Sequence, residues 1–309
     1  MINISMHIES IEEIEEIRLS FSAKFKLTLS WSDQRLAFNN LNREMFLNLP
    51  NTWEKHKIWI PKLIFQNTET NYETLLDPQA RIYVNRSGNY TLSSEFETDE
   101  IAKYKGSENS INYIRTFYHR FKCDFQLHNF PFDTQVCQIL LRMPQKQKKF
   151  LKYNPKGLQY SGSKDIEKFY VSSVKIDKGK KNSKSDVEVR IIMKRRIGKH
   201  LLSTYLPSFC ILMSAQVNRS FSNNFFNILL FQAGMYFKKE HFKTAIPLST
   251  TAMLVMYTLQ ASISAQLPTT SYIKYIDIWL LNGALMPFII LVIKVYNEYQ
   301  TPSSEVHSI

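Results

Sequence analysis

From Ile17 to Trp31 the chain alternates. Leu19, Phe21, Ala23, Phe25, Leu27, Leu29 and Trp31 fall on one phase, and Arg, Ser, Lys and Thr fall on the other. This predicts a long strand with one face in a core and one in water. Shorter runs of the same kind follow at Lys57–Phe65, Ala80–Val84, Tyr90–Ser94, Tyr113–Phe125, Gln135–Arg142, Phe169–Ile176 and Val187–Lys194. Polar turns separate them, and no helical period competes. Many short strands at this spacing predict an antiparallel, immunoglobulin-like β-sandwich. Residues 1–16 are acidic and isoleucine-rich without a clear period. Trp31, Trp53 and Trp59 read as core or edge packing, with Pro61 ending a ladder.

After Lys194-Arg195-Arg196 the pattern changes. Leu201–Val217 is apolar, carries Pro207 and is barely long enough to cross a bilayer. Asn218–Asn224 is polar, Phe225–Phe237 is apolar again, and Lys238-Lys239-Glu240-His241 follows. Thr244–Leu259 is apolar but dotted with small hydroxyls. On a helix, Pro247, Thr251, Leu254, Thr258 and Ala261 recur at steps of four and three and form one stripe. Such a stripe suits either helix packing or a water-filled pore. Ser262–Lys274 is a polar link. Tyr275–Tyr296 is a further apolar span, with Asp277 near its mouth and Lys294 placed to snorkel at its end. The expected organisation is a strand domain over 1–196, an α-helical transmembrane domain over 197–299 with three spans, and a polar tail over 300–309.

The net charge of +12 admits nucleic acid or an anionic membrane surface as partner. Many lysines flank apolar segments and no basic-aromatic repeat is present, which favours membrane lipid and sets nucleic acid aside. Cys123 and Cys137 enclose thirteen residues, while Cys210 lies inside an apolar run. The pair reads either as two reduced thiols or as a disulfide. The extracellular character of its surroundings favours the disulfide, which would contribute about 3 kcal/mol in the chain-entropy model. Asn-X-Ser/Thr tripeptides stand at Asn3, Asn85, Asn89 and Asn218. No apolar signal opens the chain, so an extracellular placement implies a leading piece outside this sequence. The seven histidines are scattered, and there is no metal-protease spacing, phosphate loop or nucleophile elbow. An enzyme is therefore not expected, nor a cofactor or a resident metal.

Four stretches resemble the Cys-loop pentameric ligand-gated ion channels, in particular their arthropod-like invertebrate members. They are the Cys123–Cys137 loop with Phe130-Pro131-Phe132-Asp133; Arg195-Arg196-Ile-Gly198; Thr204-Tyr205-Leu206-Pro207-Ser208; and Ser264-Ala-Gln-Leu267-Pro268-Thr-Thr-Ser271-Tyr272 leading into Asp277-Ile-Trp279. The resemblance covers roughly Ile17 to Tyr299. It implies an extracellular sandwich, ligand sites between neighbouring subunits, a homo- or hetero-pentamer in the plasma membrane and a pore lined by helix 244–260. Pro247, Thr251, Leu254 and Thr258 would line that pore, with Leu254 as the central gate. Phe130, Pro131, Asp133 and Arg196 match the coupling zone, where Arg196 is placed to pair with an acidic group. Lys243, Thr244 and Ala245 fall where such channels select their ion. Thr244 stands where cation channels have Glu, and with Lys238, Lys239 and Lys243 nearby this favours chloride.

Three departures stand out. Ala215–Leu230 reads as an insertion, from mis-splicing rather than from an interrupted helix. The resemblance implies a fourth membrane helix, for which this sequence is expected to have no counterpart, and the chain is expected to start inside the sandwich. These leave an alternative: a non-conducting, truncated subunit that binds ligand or modulates related subunits. The polar tip Asp177–Asp186 lacks aromatic residues, which argues against an ordinary cationic cage there. A small extracellular ligand, a proton or a metal ion such as zinc all remain as agonists. His119 and His128 are the histidines placed to titrate or ligate, though a lone surface histidine ordinarily does neither.

Overall fold

The structure is a computed structural model that describes residues 1–50, 57–69, 72–73, 80–94, 100–179, 186–214 and 242–300. The chain divides into two compact units. The first holds Met1–Phe125 and Thr134–Lys194, the second Gln126–Asp133 and Arg195–Ile309.

The first unit is built of β1 (Ile2–Glu15), β2 (Ser20–Trp31), β3 (Ala37–Asn39), β4 (Ile64–Phe65), β5 (Tyr72–Glu73), β6 (Arg81–Asn85), β7 (Tyr90–Ser94), β8 (Glu100–Lys105), β9 (Ser110–Lys122), β10 (Thr134–Arg142), β11 (Tyr153–Tyr160), β12 (Phe169–Lys178) and β13 (Val187–Arg195). They form a sheet ordered β11-β1-β2-β9-β6, a sheet ordered β12-β13-β10-β4-β5 and a small sheet β3-β8-β7. Among the described residues, the strand pairs whose register is defined are antiparallel except β1 with β11, which run parallel. An all-antiparallel unit is thus corrected at one sheet edge.

The alternation of β2 does what its pattern requires. Phe21, Phe25, Leu27 and Leu29 are fully buried, while Lys24 and Lys26 face water. The strand starts at Ser20 rather than Ile17, because a turn with Leu19 at positive φ precedes it. Residues 1–16, expected to lack a period, form β1. Ile2, Ile4, Met6 and Ile8 are buried in strict alternation, and register shifts after Ile8 and Glu12 then break the phase. The Lys57–Phe65 run yields only Ile64–Phe65 as strand. Trp59 instead meets Trp31 edge-on with ring centres 6.5 Å apart, and Trp53 lies outside the described residues.

Phe65 of β4 joins the two larger sheets. Its ring lies 5.6 Å from Phe25 and 5.2 Å from Phe117, and Phe21 lies 5.6 Å from Phe121. Aromatic pairs of this kind add roughly 0.5–1.5 kcal/mol each beyond the area they bury. Cys123, just past β9, is bonded to Cys137 on β10, so the disulfide also ties one sheet to the other. Both sulfurs are buried. At the polar tip, Gly179 N donates to Asp186 O at 3.0 Å and closes the hairpin. Residues 180–185 between them lie outside the described residues.

The second unit is helical. Gly198–His200 runs into a π-turn over Leu201–Tyr205 and then α1 (Leu206–Ser214). After it come α2 (Phe242–Ser264) and α3 (Tyr275–Gln300). Asp277 caps the start of α3, its Oδ2 accepting from Lys274 N at 3.0 Å. Among the described residues, one stretch is long and apolar enough to cross a membrane: Tyr275–Ile293, 19 residues with mean hydropathy 2.1. The stretch 215–230, the apolar run 225–237 and the tail 301–309 lie outside the described residues.

Candidate functional site

Eight residues, Gln126–Asp133, leave the first unit and fold with the helices, although the chain on both sides of them belongs to the strands. Side chains hold this short tip at both ends.

At its C-terminal end stands Asp133. Its carboxylate takes a forked pair of hydrogen bonds from Arg195, 2.6 Å from Nε and 3.0 Å from Nη2. Backbone adds a third link, Arg195 N to Asp133 O at 3.2 Å. Both side chains are almost wholly buried, at 3% and 2% exposure. The guanidinium also lies 4.6 Å from the ring centre of Phe130, itself buried. Phe130 is followed by a cis bond to Pro131 and meets His200 edge-on at 4.8 Å. Two buried charges repay their desolvation only when so fully paired.

Arg195 takes this place because of strand phase. Val187, Val189, Ile191 and Met193 are the buried residues of β13, and Arg195 is the next on that phase. Arg196, the next residue, falls on the opposite phase and is exposed. The partner of Asp133 is therefore Arg195.

At the N-terminal end, Leu127 N donates to the Tyr272 hydroxyl at 3.1 Å, and the His128 ring stacks on the Tyr272 ring at 3.8 Å. His128 O accepts from Tyr275 N at 3.0 Å. The link between α2 and α3 is thereby bound to the tip. Exposed Phe132 approaches Tyr205 at 6.1 Å. Tyr205 in turn lies 5.4 Å from Trp279, whose indole N–H donates to Ser208 Oγ at 2.9 Å. Pattern reading missed Tyr272, His200, Tyr205 and Trp279 as a set, since their meeting is tertiary. The strand phase of β13 would have identified Arg195.

On α2, Ser249, Met256 and Ile263 are buried at steps of seven, and Gly283 of α3 lies so close that a Cβ there would come 2.1 Å from Met256 Cε. Pro247, Thr251, Leu254 and Thr258 are exposed, Leu254 at 61%. The exposed face is wider than this stripe and includes Val255 and Tyr257. Pro247 interrupts the helical ladder. Thr250 Oγ1 donates to Pro247 O at 2.9 Å and Thr251 Oγ1 also donates to that oxygen. Thr258 Oγ1 donates to Val255 O at 2.8 Å. Lys243, Thr244 and Ala245 sit in the first turn of α2, and their side chains lie outside the described residues, as do Lys238 and Lys239.

His119 lies on β9 among the rings of Phe65, Phe117 and Phe121. Burial, and then the nearby Arg115 charge, hold its pKa below the ordinary histidine value. Among the described residues no group of three His, Cys, Asp or Glu is placed to hold a metal.

The Cys123–Cys137 disulfide thus closes a loop whose tip, Gln126–Asp133, belongs to the helical unit. Residues 1–197 match the model of the neurotransmitter-gated ion-channel ligand binding domain, and the chain belongs to that family of non-enzymatic receptors. The chain is 22% identical over 316 residues to the human gamma-aminobutyric acid receptor subunit rho-3, covering 98% of this chain and 59% of that protein. It is 23% identical over 301 residues to the Haemonchus contortus glutamate-gated chloride channel subunit beta, covering 93% and 60%. The glutamate-gated chloride channel of Drosophila melanogaster is 22% identical over 298 residues, covering 94% and 56%. The chain thus spans less than two thirds of the length of these relatives.

Proposed function

We propose that the chain is a subunit of a pentameric, extracellular-ligand-gated chloride channel of the plasma membrane. On this reading residues 1–196 form an immunoglobulin-like sandwich outside the cell, and residues 197–299 lie in the membrane. One observation carries it: the tip Gln126–Asp133 is bound at one end by Arg195, which opens the path to α1, and at the other by Tyr272, which links α2 to α3. A displacement of the disulfide-closed loop then reaches the entry to α1 and the link between α2 and α3 at once. Phe130, Pro131 and Asp133 act in this coupling, with Arg195 as the paired arginine and Arg196 beside it.

The exposed stripe of Pro247, Thr251, Leu254 and Thr258 supports a pore around a symmetry axis of like subunits. Its hydroxyls favour water, and a ring of Leu254 side chains closes the path by dewetting. Lys243, Thr244 and Ala245 set the charge of the inner mouth, where lysines attract anions. Chloride also agrees with relatives named as glutamate-gated chloride channels, and those names put gamma-aminobutyric acid and glutamate first as agonists.

The test is voltage clamp of oocytes expressing the full-length gene product, alone and with related subunits. Gamma-aminobutyric acid, glutamate, acid steps and zinc are applied in turn. Current reversing with the chloride gradient is expected, and Leu254→Thr should open at lower agonist concentration. Silence in every combination would overturn the reading. Loss of a relative's current without new current would show a modulatory, non-conducting subunit instead.

A further inference from the structure

We propose that Asn89 carries an N-linked oligosaccharide. The acceptor tripeptide occurs at Asn3, Asn85 and Asn89 among the described residues, and Asn218 lies outside them. A glycan is bulky and needs an acceptor on an exposed turn. Geometry separates the three.

Asn3 sits inside β1, with Ser30 of β2 as its neighbour on one side and Asn154 of β11 on the other. It is half-buried, and its Oδ1 accepts from Asn154 Nδ2 at 3.1 Å. Asn85 is the last residue of β6, paired in register with Ser110 and half-buried. Asn89 is exposed and stands in the turn between β6 and β7, outside both ladders. No hydrogen bond ties its carboxamide among the described residues.

The turn before it is rigid. Asn109 is fully buried, and its Oδ1 accepts from both Ser87 N at 2.9 Å and Gly88 N at 3.1 Å. Its Nδ2 is spent on Lys105 O at 2.8 Å. Ser87 Oγ donates to Glu108 O at 2.6 Å. Gly88 is required by proximity, since a Cβ there would lie 2.5 Å from that of Glu108. The chain therefore turns against the buried Asn109 and leaves the next residue, Asn89, to the solvent.

The modification rests on the extracellular placement of this unit, because the donor is found in the secretory pathway. The donor class is a lipid-linked oligosaccharyl diphosphate. Asn89 Nδ2 forms a bond to the sugar C1, and the bond from C1 to the diphosphate oxygen breaks. The lipid diphosphate leaves, and the amide proton passes to a base of the transferring enzyme. No oxidant or reductant is involved.

The full-length product is expressed in mammalian cells and released with peptide N-glycosidase in water enriched in oxygen-18. The expected result is a heavy-oxygen Asp at position 89, with one glycan's mobility shift that is lost in Asn89→Gln and Thr91→Ala. Thr91→Ser, Asn3→Gln and Asn85→Gln should keep the shift. A label at position 3 or 85 in place of 89, or an unlabelled Asn89 in wild type, overturns the proposal. A non-reducing peptide map of the same sample separates the two readings. A Cys123–Cys137 disulfide with bare Asn89 sinks only the glycan. Reduced thiols with bare Asn89 sink the extracellular placement as well.

Discussion

At the scale of single residues, Asp133 and Arg195 have the most to lose from change. Each is buried and each is the other's counter-charge. Removing one leaves a bare charge in a dry site, which costs roughly 3–5 kcal/mol, whereas replacing both by apolar groups is often neutral. Arg195→Met or Asp133→Leu alone should sharply reduce surface expression and the unfolding temperature of the solubilised protein. The double variant should recover much of the stability while still failing to gate. Singles as mild as the double would show that the pair is not the anchor. His119 makes the second prediction at this scale. Its folded-state pKa lies below the ordinary value of 6.5. Above that value both states are neutral and stability is full. As pH falls below it, the unfolded chain takes the proton first, so stability drops until the folded-state value is passed and then levels off. Thermal unfolding in neutral and mildly acid buffer should show this loss, and His119→Phe should flatten it.

At the scale of elements, strands were legible where alternation was clean and buried on one side, as in β2, β9, β10 and β13. β1 was hidden because Glu12, Glu13, Glu15 and Glu16 dominate the text while two register shifts break its isoleucine phase. β11 was hidden for another reason. It is a sheet edge with Pro155 and Gly157, and only Tyr153 along it is buried. Between helices, the close approach of Gly283 to Met256 is the sensitive point. Gly283→Ala should be tolerated, because the methionine end can swing aside. Gly283→Leu should lower surface expression severalfold, and Met256→Ala should restore part of it. Surface biotinylation reads both. Full expression of Gly283→Leu would mean that α2 and α3 do not meet there.

At the scale of the whole molecule, the site was half legible. Cysteine spacing and the Phe-Pro-Phe-Asp motif located the loop, and strand phase held the answer to which arginine it meets. That His128 and Tyr272 stack across 144 positions of sequence was not legible, because nothing local encodes a meeting of loop and linker. The disulfide acts at this scale, joining the two larger sheets as well as closing a loop. Cys123→Ser with Cys137→Ser should cost about 3 kcal/mol. The loss would be seen as a lower denaturant midpoint, and an unchanged midpoint would count against the bond as a brace.

The anchored tip also bears on how the molecule can be divided. A secreted fragment ending before Arg195 would keep the loop Gln126–Asp133 but lose every helix-side partner described for it. Phe130 would lose His200 and Arg195 from around its ring, and Asp133 would lose its cation. Such a fragment should self-associate through that patch unless Phe130 is replaced by a polar residue, so attempts to isolate the strand domain should begin there.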